Sequence, residues 1–474
     1  MLHASRVAPA GPNRLQKQDP ENTSLFAAHQ KVYPREASGR FARLRVIAAI
    51  GLLGLFYVTP LLRWDDRQAV LFDLPARKFY IFGLSLWPQD FIYLAALLII
   101  AGLALFFFTA LFGRIWCGYA CPQTVWTEAF LWMERLVEGS RSQRMKLDKQ
   151  KFSAALFRTK FIKHSIWIAF SLWTGFTFVG YFTPIDELAR GLTSASLGPW
   201  ELFWILFYAF ATYGNAGFMR EQVCMYMCPY ARFQSAMFDA DTLIIAYDKE
   251  RGEPRGSRGR AAKAETTGLG DCIDCTVCVQ VCPTGIDIRE GLQYECIACS
   301  ACIDACDSIM DKMNYPRNLI QYTTENISSG KPRHGFRPRI IVYGLILLLL
   351  GGSLISHITL RMPLQLDVIR DRNSLYRETP QGLIENVYTL KILNMDNRPH
   401  EYRLRAEGIE DLILVTDTPS VSADAGTIAQ FVARIQVPED SLTQRSMSLQ
   451  FHLQAINASH LSISEEARFV GPGN

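Results

Sequence analysis

Cys272-Ile-Asp-Cys275-Thr-Val-Cys278-Val-Gln-Val-Cys282-Pro283 and Cys296-Ile-Ala-Cys299-Ser-Ala-Cys302-Ile-Asp-Ala-Cys306-Asp307 are two successive Cys-x2-Cys-x2-Cys-x3-Cys runs. A cube of iron and sulfide needs four thiolates converging from all sides. Two-residue spacings wrap three of them around one face, and the fourth Cys of each run is carried away to ligate the other cluster. The pattern predicts two [4Fe-4S] clusters, one on Cys272, Cys275, Cys278 and Cys306, the other on Cys296, Cys299, Cys302 and Cys282. Zinc sites group their Cys pairs around a longer spacer, and disulfides require an oxidising compartment. Pro283 follows the first run, but Asp307 stands at the equivalent place in the second. Proline fixes the chain's exit and shields sulfide, so the cluster ligated by Cys306 is expected to be the more exposed.

The remainder of the 474 residues, 12% of them aromatic, is too apolar for a soluble ferredoxin and too charged for a pure transporter. Runs long enough to span a bilayer, roughly 17 to 25 residues, fall at 46–62, 91–112, 165–185, 202–218 and 340–358, which predicts five spans. The stretch 79–88 is too short to cross and is expected to lie in the interface or form a hairpin. Nine Lys or Arg lie between 114 and 160, against Arg190 alone between 183 and 199. The positive-inside rule therefore places the N-terminus and residues 219–339 in the cytoplasm and everything after the fifth span outside. All twelve cysteines then sit on the reducing side, and no cleavable signal peptide is visible.

Composition predicts a disordered cytoplasmic N-terminus at 1–43, a block of four transmembrane helices at 44–247, and a flexible linker at 248–268. A ferredoxin-type domain at 269–335 and the fifth helix at 340–358 follow. The linker mixes six basic with four acidic residues and lacks interleaved aromatics, which argues against a nucleic-acid site. Residues 361–474 change texture to short alternating runs at 387–393, 402–404, 412–415, 431–437, 447–454 and 467–470, separated by turn residues. Such spacing suits a periplasmic immunoglobulin-like β-sandwich. The predicted fold is a multi-domain integral membrane protein: an α-helical transmembrane region, an α+β bacterial 2x[4Fe-4S] ferredoxin-like domain, and a C-terminal all-β sandwich.

The other four cysteines form an internal repeat. Cys117 and Cys121 lie in Arg114-Ile-Trp-Cys-Gly-Tyr-Ala-Cys-Pro122 after the second span, and Cys224 and Cys228 in Arg220-Glu-Gln-Val-Cys-Met-Tyr-Met-Cys-Pro229 after the fourth. Helical positions four apart share a face, so each pair could hold one soft ion, with Met227 adding a thioether in the second copy. Thiolate plus thioether selects Cu(I). Pro122 and Pro229 disfavour helical geometry just before them and favour a helix start just after. That would place Cys121 and Cys228 at helix N-termini with lowered thiol pKa, and Arg114 and Arg220 would act in the same direction. Buried inert thiols are the plainer alternative, weakened by the duplication and the shared depth. His164 and His357 fall at opposite membrane faces, which opposes a bis-histidine haem.

Taken together, the paired cluster runs, the two Cys-x3-Cys-Pro repeats, Gly113-Arg-Ile-Trp-Cys-Gly-Tyr-Ala-Cys-Pro-Gln-Thr-Val-Trp126 and Cys228-Pro-Tyr-Ala-Arg-Phe-Gln234 resemble the FixG/RdxA/CcoG family, accessory proteins of cbb-type cytochrome c oxidase maturation. The resemblance implies a bacterial inner-membrane electron-transfer protein that reduces Cu(II) to Cu(I) for delivery to the oxidase or its copper-delivery proteins, a cupric reductase. It makes Cys117, Cys121, Cys224 and Cys228 the copper-handling thiols. The electron donor, cytoplasmic or quinol, and the oligomeric state stay open at this point. A quinol-linked subunit resembling the polyferredoxins of nitrate and nitrous oxide systems shares the repeats, and a non-enzymatic assembly platform is the third reading. The C-terminal sandwich favours the oxidase family over the quinol-linked one.

Overall fold

The computed structural model describes residues 31–65, 67–259, 268–335 and 337–472. Its helices, in chain order, are α1 (Arg40–Val58), α2 (Phe91–Phe112), α3 (Ile115–Tyr119), α4 (Pro122–Glu138), α5 (Arg141–Lys149), α6 (Ala154–Val179), α7 (Ile185–Thr193), α8 (Pro199–Thr212), α9 (Pro229–Met237), α10 (Val277–Val281), α11 (Ala301–Met313) and α12 (Pro338–Thr359). With the turns that extend them, four helices among the described residues are long and apolar enough to cross a membrane: Arg40–Leu61, Pro88–Phe112, Pro199–Met219 and Pro338–Thr359. Large apolar side chains stand outward on them, Ile47, Leu55, Phe91, Leu98 and Leu348 among them. A continuous band of that kind has no place in water, and the chain is a multi-pass membrane protein.

The expected span 165–185 is displaced. The helix occupies Ala154–Val179, is capped by Gly180, and residue 185 already opens α7. It is not among the four apolar helices because its first turns carry Arg158, Lys160, Lys163 and His164. Farther along, Ser171, Thr174 and Thr177 donate to carbonyls four residues back. The helix nevertheless runs between the same two ends as its neighbours. Lys160 bonds Asp148 of α5 and Glu138 of α4 at one end. At the other, Phe72 donates to the carbonyl of Tyr181. Gly175 makes the contact with α8: a Cβ there would lie 2.3 Å from the Ile205 carbonyl oxygen. Small residues at such crossings let helix backbones approach closely.

At the far end the stretch 79–88 takes the hairpin form. Strands β1 (Val70–Asp73), β2 (Lys78–Ile81) and β3 (Leu84–Leu86) make an antiparallel sheet, with Phe79 opposite Leu86. The C-terminal domain rests on this sheet. Lys78 Nζ donates to the Gly426 carbonyl at 2.7 Å, and Arg361 pairs with Asp90 at 2.6 Å.

At the near end, the residues flanking the cluster runs pair as β4 (Ile244–Tyr247) and β5 (Ile320–Thr323), antiparallel, with Ile245 opposite Tyr322. The N-terminus departs from the expected disorder from residue 31 onward. Arg35 N donates to the Gln280 carbonyl at 2.8 Å, Tyr33 and Lys31 bind Asp148, and α1 begins at Arg40. Residues 1–30 lie outside the described residues. The expected linker is likewise pinned where described: Arg251 pairs with Asp271 at 2.6 Å and Gly256 N donates to the Cys272 carbonyl. Residues 260–267 lie outside the described residues.

The C-terminal domain is a two-sheet sandwich. Its strands are β6 (Leu364–Arg370), β7 (Leu383–Asn394), β8 (His400–Glu407), β9 (Ile413–Thr416), β10 (Val421–Ala423), β11 (Ile428–Pro438), β12 (Ser446–Ala455) and β13 (Ser462–Val470). One sheet has the order β9-β11-β7-β6, with the short Arg377–Glu378 strand on β7, and the other β10-β8-β12-β13. Period-two alternation aims Ile384, Tyr388, Leu390 and Ile392 of β7 at Leu449, Phe451 and Leu453 of β12, all of them buried. Full burial of each such side chain contributes about 1.5–3 kcal/mol.

Candidate functional site

The two cysteine runs fold alike. Asp274 and Thr276 in the first, and Ala298 and Ser300 in the second, sit at matching positions with positive φ of 53°, 56°, 54° and 62°. Non-glycine residues seldom adopt this region, and successive turns of this kind aim backbone N–H groups into an anion-binding concavity. Each run then enters a helix, α10 or α11: Cys282 is the C-cap of α10 and Cys306 lies midway along α11, each turned toward the other run's cavity. One cavity is lined by Cys272, Cys275, Cys278 and Cys306, a second by Cys282, Cys296, Cys299 and Cys302 together with Cys278. Where expectation marked Asp307 as a departure, the chain continues as helix α11 through it, and its carboxylate accepts from Asn318 N at 2.9 Å.

Burial pushes the thiols of Cys278 and Cys296 up to about 11 and Cys299 up to about 12. Bare thiolates would not persist there, so these donors suit a group that brings positive charge and displaces their protons. Among the described residues no group of three or more His, Cys, Asp or Glu is drawn together tightly enough for one metal ion. An iron–sulfide cube holds its thiolates farther apart than a single ion does, and each cavity is lined by the four cysteines such a cube takes.

The repeat cysteines do not pair along helix faces as the sequence suggests. α3 stops at Tyr119, and Cys121 is the extended N-cap of α4; Cys228 is the extended N-cap of α9. Proline at each helix start forces that conformation. Cys224 lies on a π-turn, Val223–Met227, preceded by a second one at Tyr213–Met219, a form that recurs at functional sites. The four thiols lie within electrostatic range of one another, both within and across the repeats: Cys117 of Cys121, Cys224 and Cys228, and Cys224 of Cys121 and Cys228. The lowering expected for Cys121 is overturned: burial pushes its thiol up. Burial, then the neighbouring thiols, push Cys117 and Cys224 up to about 12, against the pull of Arg114. Met227 is 56% exposed and lines neither cluster cavity.

The repeat arginines have diverged. Arg114 donates to the carbonyls of Tyr294 and Ala231, and reaches Cys296 O at 3.5 Å, gripping the second cluster run. Arg220 turns the other way, to Glu134 of α4 at 2.8 Å. Glu134 and Glu138, both buried, also meet Arg144 at 3.4 Å and Lys163 at 2.9 Å respectively, so the two repeats are clasped by an internal ion network. Against the second cluster run, Gly118 is decisive. A Cβ there would lie 2.8 Å from Cys299 Cα and from the Ile297 carbonyl oxygen, so the thiol loop and the cluster loop touch backbone to backbone. Tyr119 adds a 2.9 Å bond to Ser300, and Cys117 Sγ lies 3.4 Å from Gln234 Oε1. Gly118 and the glutamate network are absent from the sequence reading. The available signal was asymmetry: Gly118 and Ala120 in one repeat face Met225 and Met227 in the other. His164 and His357 are each bonded to a tyrosine, Tyr213 and Tyr93, at 2.9 Å.

Comparison with known proteins agrees with this anatomy. A "4Fe-4S dicluster domain" family matches residues 219–325, a "4Fe-4S binding domain" family 94–139, and the family of the IG-like fold at the C-terminus of FixG 354–472. Protein RdxA of Cereibacter sphaeroides is 42% identical over 85% of this chain and 86% of its own length. Nitrogen fixation protein FixG of Rhizobium meliloti is 40% identical over 81% of this chain and 80% of its own. A crystal structure of a FixG-related protein from Vibrio parahaemolyticus, 30% identical, covers 23% of this chain and 95% of that one with a TM-score of 0.21. With relatives this similar over most of its length, a two-run cluster region and a FixG-type C-terminal domain, the chain belongs to the FixG/RdxA family of membrane iron–sulfur proteins.

Proposed function

We propose that the chain is a cupric reductase: the thiols of its two repeats take up copper as substrate at the cytoplasmic face of the inner membrane and release it as Cu(I) for maturation of a cbb-type oxidase. Cys272, Cys275, Cys278 and Cys306 would hold one [4Fe-4S] cluster and Cys282, Cys296, Cys299 and Cys302 the other. Such clusters, when bound, supply single electrons at low potential, and Cu(II) to Cu(I) consumes one electron per ion. The observation that carries the reading is Gly118, which brings the thiol loop onto the backbone of Cys299 with no side chain between.

The chain's own residues prepare the copper end. Cys121 stands at the crossing of the repeats with Cys117, Cys224 and Cys228 as neighbours, so a cross-repeat pair offers Cu(I) the soft sulfur it prefers. The Glu134–Arg220 pair fixes the turn before Cys224, and Gln234 orients Cys117. The basic excess on the near side supports a cytoplasmic N-terminus and cluster region, with a periplasmic sandwich. α6, running between the same two ends, would be the fifth crossing.

Replacing Cys121 by Ser should abolish both Cu(I) binding and Cu(II) reduction while iron content and cluster spectra stay as in the parent. Copper affinity that survives in Cys121→Ser and in the Cys224→Ser, Cys228→Ser double variant would sink the thiol assignment.

A further inference from the structure

We infer that the two cluster cradles are unequal and ordered: the cradle of Cys282, Cys296, Cys299 and Cys302 is the one that faces the membrane thiols, it has the higher reduction potential, and Arg114 and Arg45 are the residues that raise it. The order rests on the cluster assignment given above but not on copper.

Three contacts place this cradle at the membrane side. Gly118 abuts Cys299, Tyr119 bonds Ser300, and Arg45, in the second turn of α1, donates to the Cys299 carbonyl. Arg114 reaches Tyr294 and Cys296 of the same run from the end of α2. Both guanidiniums thus spend their hydrogen bonds on backbone carbonyls of the second run and of α9, and keep their positive charge there. On that side Asp304 accepts from the amides of Phe41 and Ala42 at the start of α1, where the helix dipole offsets it, and Glu295 directly precedes Cys296.

The surroundings of the other cradle carry more carboxylates than cations. Arg289 lines it but is held by two carboxylates, Asp274 at 2.5 Å and Asp287 at 2.6 Å. Asp271, beside Cys272, is paired with Arg251, and Asp307, beside Cys306, accepts from the Asn318 amide and has Arg317 as an electrostatic neighbour. Reduction adds one negative charge to a cluster. A fixed cation beside its loop favours that state and uncompensated carboxylates oppose it, so net local charge and hydrogen bonding set the potential. One electron arriving at the cradle of Cys272 therefore falls toward the cradle of Cys299 and so toward the thiols.

The test is an EPR-monitored redox titration of the full-length protein in detergent without copper. The parent should give two midpoints. Arg114→Gln and Arg45→Gln should each lower the higher midpoint and leave the lower one in place, Arg114→Lys should keep the parent value, and Asp307→Asn should raise only the lower. If the arginine variants move the lower midpoint, move both alike, or move neither at unchanged iron content, the order is overturned. Should Arg114→Gln lose iron, Arg45→Gln alone carries the test. Loss of copper reduction with these shifts intact would refute the reductase reading and leave the order standing.

Discussion

Glu134 is fully buried and meets Arg220, Arg144 and Lys163 at 2.8, 3.4 and 4.0 Å. Burial works to raise its pKa, yet Arg220, Lys163 and Arg144 together hold it below the ordinary carboxylate value. A carboxylate depressed on folding stabilises the protein above its unfolded pKa, about 4.3, and that contribution is lost as pH falls through the folded value. Glu134→Ala leaves three cations around an uncompensated site and should cost about 3–5 kcal/mol. It should also flatten the acid limb of a thermal-stability profile recorded in detergent; a loss below about 1 kcal/mol would mean that the network does not hold the repeats together. Gly118→Val tests the other contact. Its side chain has only backbone to displace, so it should separate the thiol loop from Cys299, at about 1–3 kcal/mol, and slow copper reduction with iron content retained. Neither residue stood out in the sequence, since a glutamate on an amphipathic helix reads as solvent-facing and a lone glycine as a turn. Both are decided by which elements meet, which composition does not contain.

At the scale of elements, the cluster loops and the sandwich were legible because short-range patterns dictate them. Two-residue cysteine spacing leaves a loop little choice, and strict alternation over 387–393 can only bury one face of a strand, as β7 does. Strand β6 escaped notice because its apolar residues follow directly on α12 and read as the tail of the span. The repeats read as a duplication with two geometries open, pairing on one helix face or a second cysteine at a helix start, and Pro122 and Pro229 enforce the latter. α6 is the instructive middle case. Hydroxyls bonded to their own helix and three cations in its first turns lower its apolarity, while its ends match those of its neighbours. A glycosylation or cysteine-labelling map should find residues 181–198 on the same side as the sandwich, and labelling of that stretch from the cytoplasm would remove α6 as a crossing.

Across the whole molecule, function is laid out along one axis. The hairpin sheet and sandwich close one end through Lys78 and Arg361, and the N-terminal strap, cluster runs and repeat thiols form the other. Only there do sulfur donors gather, with Gly118 as the point of touch. The central claim is that electrons leave by this contact for copper on the repeat thiols. Its most direct measurement is the reoxidation of anaerobically reduced protein by stoichiometric Cu(II), followed at the cluster absorption alongside a Cu(I) chromophore. The account predicts rapid recovery of the oxidised spectrum with one Cu(I) formed per electron withdrawn, and loss of that phase in Cys121→Ser with clusters intact. Equal rates in the parent and in Cys121→Ser would contradict it.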